Sequence, residues 1–216
     1  MKHHFVRLLA RTNFQLRLRS KHLKFVLALP LVCSLFLANC GSPEVTSTLH
    51  DNGTLPFSRS GMASILKSAC DREVPNGIKS SRMSKEECYL FMAGVTNAES
   101  SWNRYIAPQA WGNPSDPTRG LTQSRNSDAR FAGLSSCDGK LDSDPVCNVR
   151  VGLRNIAKRA NTLDAGISVH LGGNSGAKTS YLKTIEKVWY RQDIRTALGI
   201  TGPVRSFSQV LFVTLR

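Results

Sequence analysis

Acid is missing from the front of this chain: residues 1–24 hold seven Lys and Arg and no Asp or Glu. Over all 216 residues the shortage persists, with 15 acidic side chains against 29 basic ones and a formal charge of +14. Setting the seven leader residues aside leaves 22 bases against the 15 acids, an excess of seven in the body of the protein. A chain so poor in acid suits an anionic polymer or surface as partner. Long apolar runs are absent as well. The longest, Phe25 to Ala38, has about fourteen residues, whereas a bilayer core takes about 20, so a membrane-spanning helix is excluded. No C-x2-C pair occurs, which argues against a zinc ribbon, and no metal or cofactor is expected. No alternating strand pattern and no internal repeat is visible, so sheet-based and solenoid folds find no support.

What the first 40 residues do contain is an address. A basic start, a short apolar run and a small-residue end describe a secretory signal, assigned to residues 1–39. The run closes on Leu37-Ala38-Asn39-Cys40-Gly41-Ser42. That segment resembles the lipobox of bacterial lipoproteins. The resemblance implies cleavage before Cys40, a lipid on Cys40 and tethering to a membrane face. Gly41, where inner-membrane retention would want Asp, implies the outer membrane, with the domain in the periplasm. Residues 40–60 show no apolar period and read as a flexible tether; the folded domain is expected over 61–216. Export also limits contact with nucleic acid, for which no binding module is recognisable. Four cysteines remain in the domain: Cys70, Cys88, Cys137 and Cys147. An even number in an exported chain points to two disulfides, with three possible connectivities. Local pairing, Cys70 with Cys88 and Cys137 with Cys147, closes the smallest loops and is the expected one.

The domain reads as mainly α. Ser84-Lys85-Glu86-Glu87 forms a capping box, and Cys88, Phe91, Val95, Ala98 and Trp102 then recur at spacings of three and four. This predicts a helix from Ser84 to near Asn103. Tyr105 to Arg130 carries three prolines and two glycines and reads as a loop with at most a short helical turn. Asp144-Pro145 opens a second helix, as a cap followed by a residue suited to the first helical position. Val149, Gly152, Leu153, Ile156, Ala160 and Leu163 line its inner face. A third helix is expected from about Thr179 to Ile194, with Leu182, Ile185 and Trp189 inward. The last fifteen residues give no clear signal.

Glu99 falls four residues after Val95, at the edge of the first apolar face and in the last turn of its helix. Partial burial and the negative helix end both favour a protonated carboxyl there, as a general acid requires. Taken alone, a Glu on a helix end is better explained by simple solvation. Its neighbours add more. Glu99-Ser100-Ser101-Trp102-Asn103, then Arg119-Gly120-Leu121-Thr122-Gln123, then Asp144-Pro145 with Asn148 and Gly152, resemble the E-S-[SG]-[FWY]-[ND], R-G-L-x-Q and D-P-x-x-N-[IL]-x-x-G motifs of soluble lytic transglycosylase domains. They stand in that family's order and cover about Ser84 to Leu163. Cys137 and Cys147 resemble an exported branch of the family with an extra disulfide.

The resemblance implies a lysozyme-like single domain with a cleft beside the catalytic helix. It implies peptidoglycan glycan strands as substrate, a monomer as the working form, and non-hydrolytic cleavage by one carboxylate, Glu99. That scheme departs from the usual carboxylate pair of glycosidases, so Asp116 and Asp128 are not assigned as partners. Ser100 matches a residue supporting the acid, and Gly120, Leu121 and Gln123 match the substrate-binding loop. Trp102 lies on the apolar face and reads as core; Trp111, in the loop, is the candidate for stacking on a sugar. The family's A-Y-N-x-G segment, whose Tyr contacts the catalytic Glu, is not recognisable. His170-Leu171-Gly172-Gly173-Asn174 stands roughly in its place, and Tyr181 is the next tyrosine, in another context. That departure supports an alternative, a non-catalytic peptidoglycan-binding lipoprotein with a degenerate cleft.

Overall fold

A computed structural model of the chain describes residues 61–74, 83–103 and 113–213, all within one compact unit spanning Thr46–Arg216. The signal, the Cys40 lipidation site, the tether and Trp111 lie outside the described residues. Every regular element among the described residues is helical: α1 Met62–Glu73, α2 Lys85–Ser100, α3 Asn126–Phe131, α4 Pro145–Arg159, α5 Leu163–His170, α6 Ser175–Trp189, α7 Gln192–Ala197 and α8 Phe207–Leu211. The only β pairing among them is an isolated bridge between Arg119 and Ser124.

The expected capping box starts α2: Glu87 N–H donates to Ser84 Oγ at 3.2 Å, and Ser84 N–H donates to Glu87 Oε2 at 2.8 Å. This helix is central. Residues Glu87 to Thr96 are buried without a break, because α1, α4 and α6 pack around it. The expected stripe was therefore too narrow. The closest packing is against α6, where Gly94 meets Ile185 with no room for a side chain between them. Trp189, Leu66, Phe91, Leu90 and Leu153 fill the core around this contact. Burying each such side chain favours folding by about 1.5–3 kcal/mol.

Helix limits differ from the sequence reading in instructive ways. α4 stops at Arg159, and Ala160 is extended. Thr162 then caps a new helix through Ala165 N–H, so Leu163 opens α5 instead of closing α4. The third expected helix starts earlier, at Ser175, because the Asn174 side chain accepts from Ala177 N–H at 2.9 Å; it ends at Trp189, and Ile194 belongs to α7. α1 was not anticipated, since Gly61 supplies no side-chain cap.

Cross-links staple the bundle. Cys70–Cys88 joins α1 to α2, and Cys137–Cys147 joins the loop before α4 to its first turn. This is the local pairing. Structural disulfides of this kind form and persist mainly in oxidising compartments. Glu73, fully buried, is held between Arg150 and Arg154 of α4. Glu87 accepts from Arg205 Nε at 2.7 Å, tying the start of α2 to the C-terminal segment. No helix among the described residues is long and apolar enough to cross a membrane.

Candidate active site

Glu99 sits in the last turn of α2, half-buried, and its side chain keeps 16% of its surface. The next two residues leave the helix sharply. Ser101 and Trp102 both take positive φ, 51° and 62°, a conformation that costs non-glycine residues energy and collects at functional sites. The turn is held by Ser101 N–H donating to Asn97 O at 2.9 Å and by the indole. Trp102 folds back under α2 and donates from Nε1 to Ala93 O at 2.8 Å. It is core, as its spacing indicated.

Ser100 connects the end of α2 to the loop 119–124. Its hydroxyl lies 2.9 Å from both the Thr96 and the Leu121 carbonyl oxygens. The loop is a tight reversal in which Arg119 N–H donates to Ser124 O at 2.9 Å and Ser124 N–H to Arg119 O at 3.1 Å. Asn148 of α4, fully buried, locks it from below. Asn148 Nδ2 donates to Arg119 O at 2.8 Å, and Asn148 Oδ1 accepts from Thr122 N–H at 2.8 Å. So the segments around Glu99, Arg119–Gln123 and Asp144–Asn148 meet in one hydrogen-bonded cluster.

Within that cluster Ser100 and Leu121 are 4% and 0% exposed and join α2 to the loop. Gly120 has φ +65°, and a Cβ there would stand 2.5 Å from Asn148 Nδ2. Its lack of a side chain leaves room for Asn148. Gln123, at φ +45°, is partly accessible. Its amide is fixed by Thr118 Oγ1 donating to Oε1 at 2.9 Å and by Nε2 donating to Gly120 O at 2.8 Å. Asp116 caps the start of α3, accepting from Asn126 and Ser127 N–H at 2.9 and 3.0 Å. Asp128 accepts from Arg125 N–H at 2.9 Å and Asn155 Nδ2 at 3.0 Å.

Two residues without an assigned role complete the site. Tyr181, on α6, donates its hydroxyl to Glu99 Oε1 at 2.7 Å. His170, the last residue of α5, places Nε2 3.0 Å from the same oxygen. The α2–α6 contact explains the first: Tyr181 lies one turn before Ile185, and Glu99 just over one turn after Gly94, as the close crossing demands. The turn after α5 explains the second, with Gly173 N–H donating to Ser168 O at 2.8 Å and Lys178 pairing with Asp164 at 2.8 Å across α5 and α6. Burial, and then the Glu99 charge and hydrogen bond, hold the Tyr181 phenol well above its ordinary range, so it remains a donor. Glu99 Oε2 accepts no hydrogen bond among the described residues, and it is not among the buried atoms left without a partner.

Among the described residues no cluster of His, Cys, Asp or Glu could hold a metal ion. Among the described residues the arrangement offers a carboxyl group with one oxygen held twice and the other accepting no hydrogen bond, beside the 119–124 loop. No family model matches the chain, and no curated protein or solved structure matches it either.

Proposed function

We propose that this protein is a lytic transglycosylase of lysozyme-like fold, which cleaves peptidoglycan glycan strands with Glu99 as the only catalytic carboxyl group. Its substrate cleft runs beside the C-terminal end of α2. The observation that carries this reading is the setting of Glu99: Oε1 held by Tyr181 and His170, and Oε2 with no hydrogen-bond partner among the described residues. Support comes also from the junction of the Glu99, Arg119–Gln123 and Asp144–Asn148 segments through Ser100 and Asn148.

Glu99 first gives its proton to the glycosidic oxygen between N-acetylmuramic acid and N-acetylglucosamine as that bond breaks. The resulting carboxylate then takes the proton from the muramyl C6 hydroxyl. That oxygen closes on its own anomeric carbon, leaving a 1,6-anhydro end, and no water is consumed. One group acts as acid and then as base, in the manner of general acid–base catalysis. Gln123 and Trp111 contact the glycan, and the basic excess of the body draws the chain to the anionic wall. The protein acts as a monomer, held at the outer membrane by lipid on Cys40.

Purified sacculi incubated with the protein test the reading. Muropeptides ending in anhydro sugars are expected by mass spectrometry. Reducing ends alone would make the protein a hydrolase. Binding without any release would make it a wall-binding lipoprotein. Intact mass of the exported protein checks the anchor: acyl mass on an N-terminal Cys40 is expected, and a start elsewhere removes the lipid from the account.

A further inference from the structure

The clamp on Glu99 uses one oxygen twice, and this bears on where the working proton sits. Tyr181 Oη is 2.7 Å from Oε1 and His170 Nε2 is 3.0 Å from it. An ionised carboxylate has only acceptor sites. Facing it, an unprotonated Nε2 would set lone pair against lone pair at hydrogen-bond distance. In the protonated acid, a carbonyl oxygen has two lone pairs, and two donors occupy both. We propose that His170 carries a proton on Nε2 and is a positioning residue, so that Glu99 does its proton transfers through Oε2. This rests on the catalytic role given to Glu99 above.

The arrangement suits a group that must be acid and base in turn. Tyr181 and His170 keep the same two hydrogen bonds in both halves of the reaction. Oε2–H gives its proton to the leaving oxygen as the anomeric C–O bond breaks. Oε2 then receives the C6 hydroxyl proton as the new C–O bond forms, which restores the starting state. The ring of His170 stands at the end of α5 with its centroid 6.2 Å from that of Tyr181, so both donors approach from the α5–α6 side. The opposite edge of the carboxyl is left to the substrate.

Histidine ¹⁵N spectroscopy reads the proton directly. The chain has five histidines, and the His170 resonance is identified by its loss in His170→Gln. A protonated Nε2 is expected; an Nε2 without a proton overturns the proposal. Kinetics give a second reading. Gln at 170 presents an amide N–H near the position of Nε2, whereas Leu presents none. His170→Gln should keep kcat within about threefold, and His170→Leu should lower it about 10- to 100-fold, the effect expected of one hydrogen bond to a charged group. KM should be unchanged in both. Equal loss in Gln and Leu variants that remain folded overturns the donor role. If His170→Leu does not fold, the wild-type spectrum still decides. The parent reading fails separately: wild-type activity in Glu99→Gln would refute it, whereas the His170 proposal is read from the wild-type spectrum.

Discussion

The contact between Gly94 and Ile185 positions Tyr181, so Gly94→Ala should damage catalysis from a distance. A Cβ at residue 94 would stand 2.6 Å from Ile185 Cγ2 and 2.8 Å from Ile185 Cα. Non-bonded carbon atoms rest about 3.5–4.0 Å apart. Rotating the Ile185 side chain relieves only the first clash. The second involves backbone, and α6 must retreat by about 1 Å to reach ordinary contact. Tyr181, one turn away on the same helix, moves with it, and its 2.7 Å bond to Glu99 lengthens beyond hydrogen-bonding distance. Overpacking of this kind costs about 1–3 kcal/mol, and the better helix propensity of Ala returns up to about 1 kcal/mol. The net loss is about 1–2 kcal/mol, a fall in Tm of about 3–6 °C. A misplacement of this size can cost as much as about 100-fold in rate. Release of soluble muropeptides from sacculi at 25 °C should therefore fall about 10- to 100-fold, although the domain remains folded. Circular dichroism on heating and mass spectrometry of the digest measure the two effects together. Wild-type Tm with wild-type release would refute the reasoning that this crossing holds the donor in place.

Other expectations follow from single contacts. Replacing Cys137 and Cys147 together by Ser should cost about 2–4 kcal/mol, and peptide mapping without reduction should recover Cys137–Cys147 and Cys70–Cys88 as the linked pairs; free thiols at these positions would remove the case for an oxidising compartment. Asn148→Ala strands Thr122 N–H and the Arg119 carbonyl in a buried site, a loss of about 2–4 kcal/mol, and amide exchange in 119–124 should quicken; unaltered exchange would mean the loop is held by something else. Burial pushes Glu87 up, but the Arg205 hydrogen bonds and charge, together with Ser84 N–H, outweigh it and hold the carboxyl below its ordinary range. Its stabilising effect is thus fully present above the unfolded value of about 4.3 and is lost as pH falls below that through the folded one. The Tm gap between wild type and Glu87→Gln should narrow as pH drops from about 5 to 2, and a gap independent of pH would contradict the ion-pair account.

Local signals carried the reading of the helices, and long-range ones were out of its reach. The capping box at Ser84 and the Asp144-Pro145 start were legible because caps act within four residues. Ser206 to Gln209 forms the same kind of box before α8, so a start signal was present in the stretch that had seemed silent. α1 offered no such mark. Its buried Met62, Leu66, Ala69 and Glu73 follow helical spacing, but an apolar period broken by a buried acid is hard to recognise until Arg150 and Arg154 are seen to neutralise it. Glu99 stands out as a candidate from its place on the helix and from its motif. His170 and Tyr181 could not be joined to it by spacing, since they lie 71 and 82 residues away in sequence. Only the Gly94 crossing and the α5–α6 turn bring them there. The burial of Ser100 and Leu121 was likewise hidden, because a motif records which residues recur and not which way they face.

The central claim is that Glu99 performs both proton transfers, and one substitution examines it most directly. Glu99→Gln keeps the shape of the side chain and its capacity to accept from Tyr181, but it has no proton to give. General acid–base catalysis contributes about 10²–10⁴-fold, and a group serving both halves should reach at least the upper end. Anhydromuropeptide release from sacculi, measured beside wild type at equal concentration, should fall by about 10⁴-fold or more with Tm and sacculus binding retained. Release at the wild-type rate from the Gln variant would contradict the account.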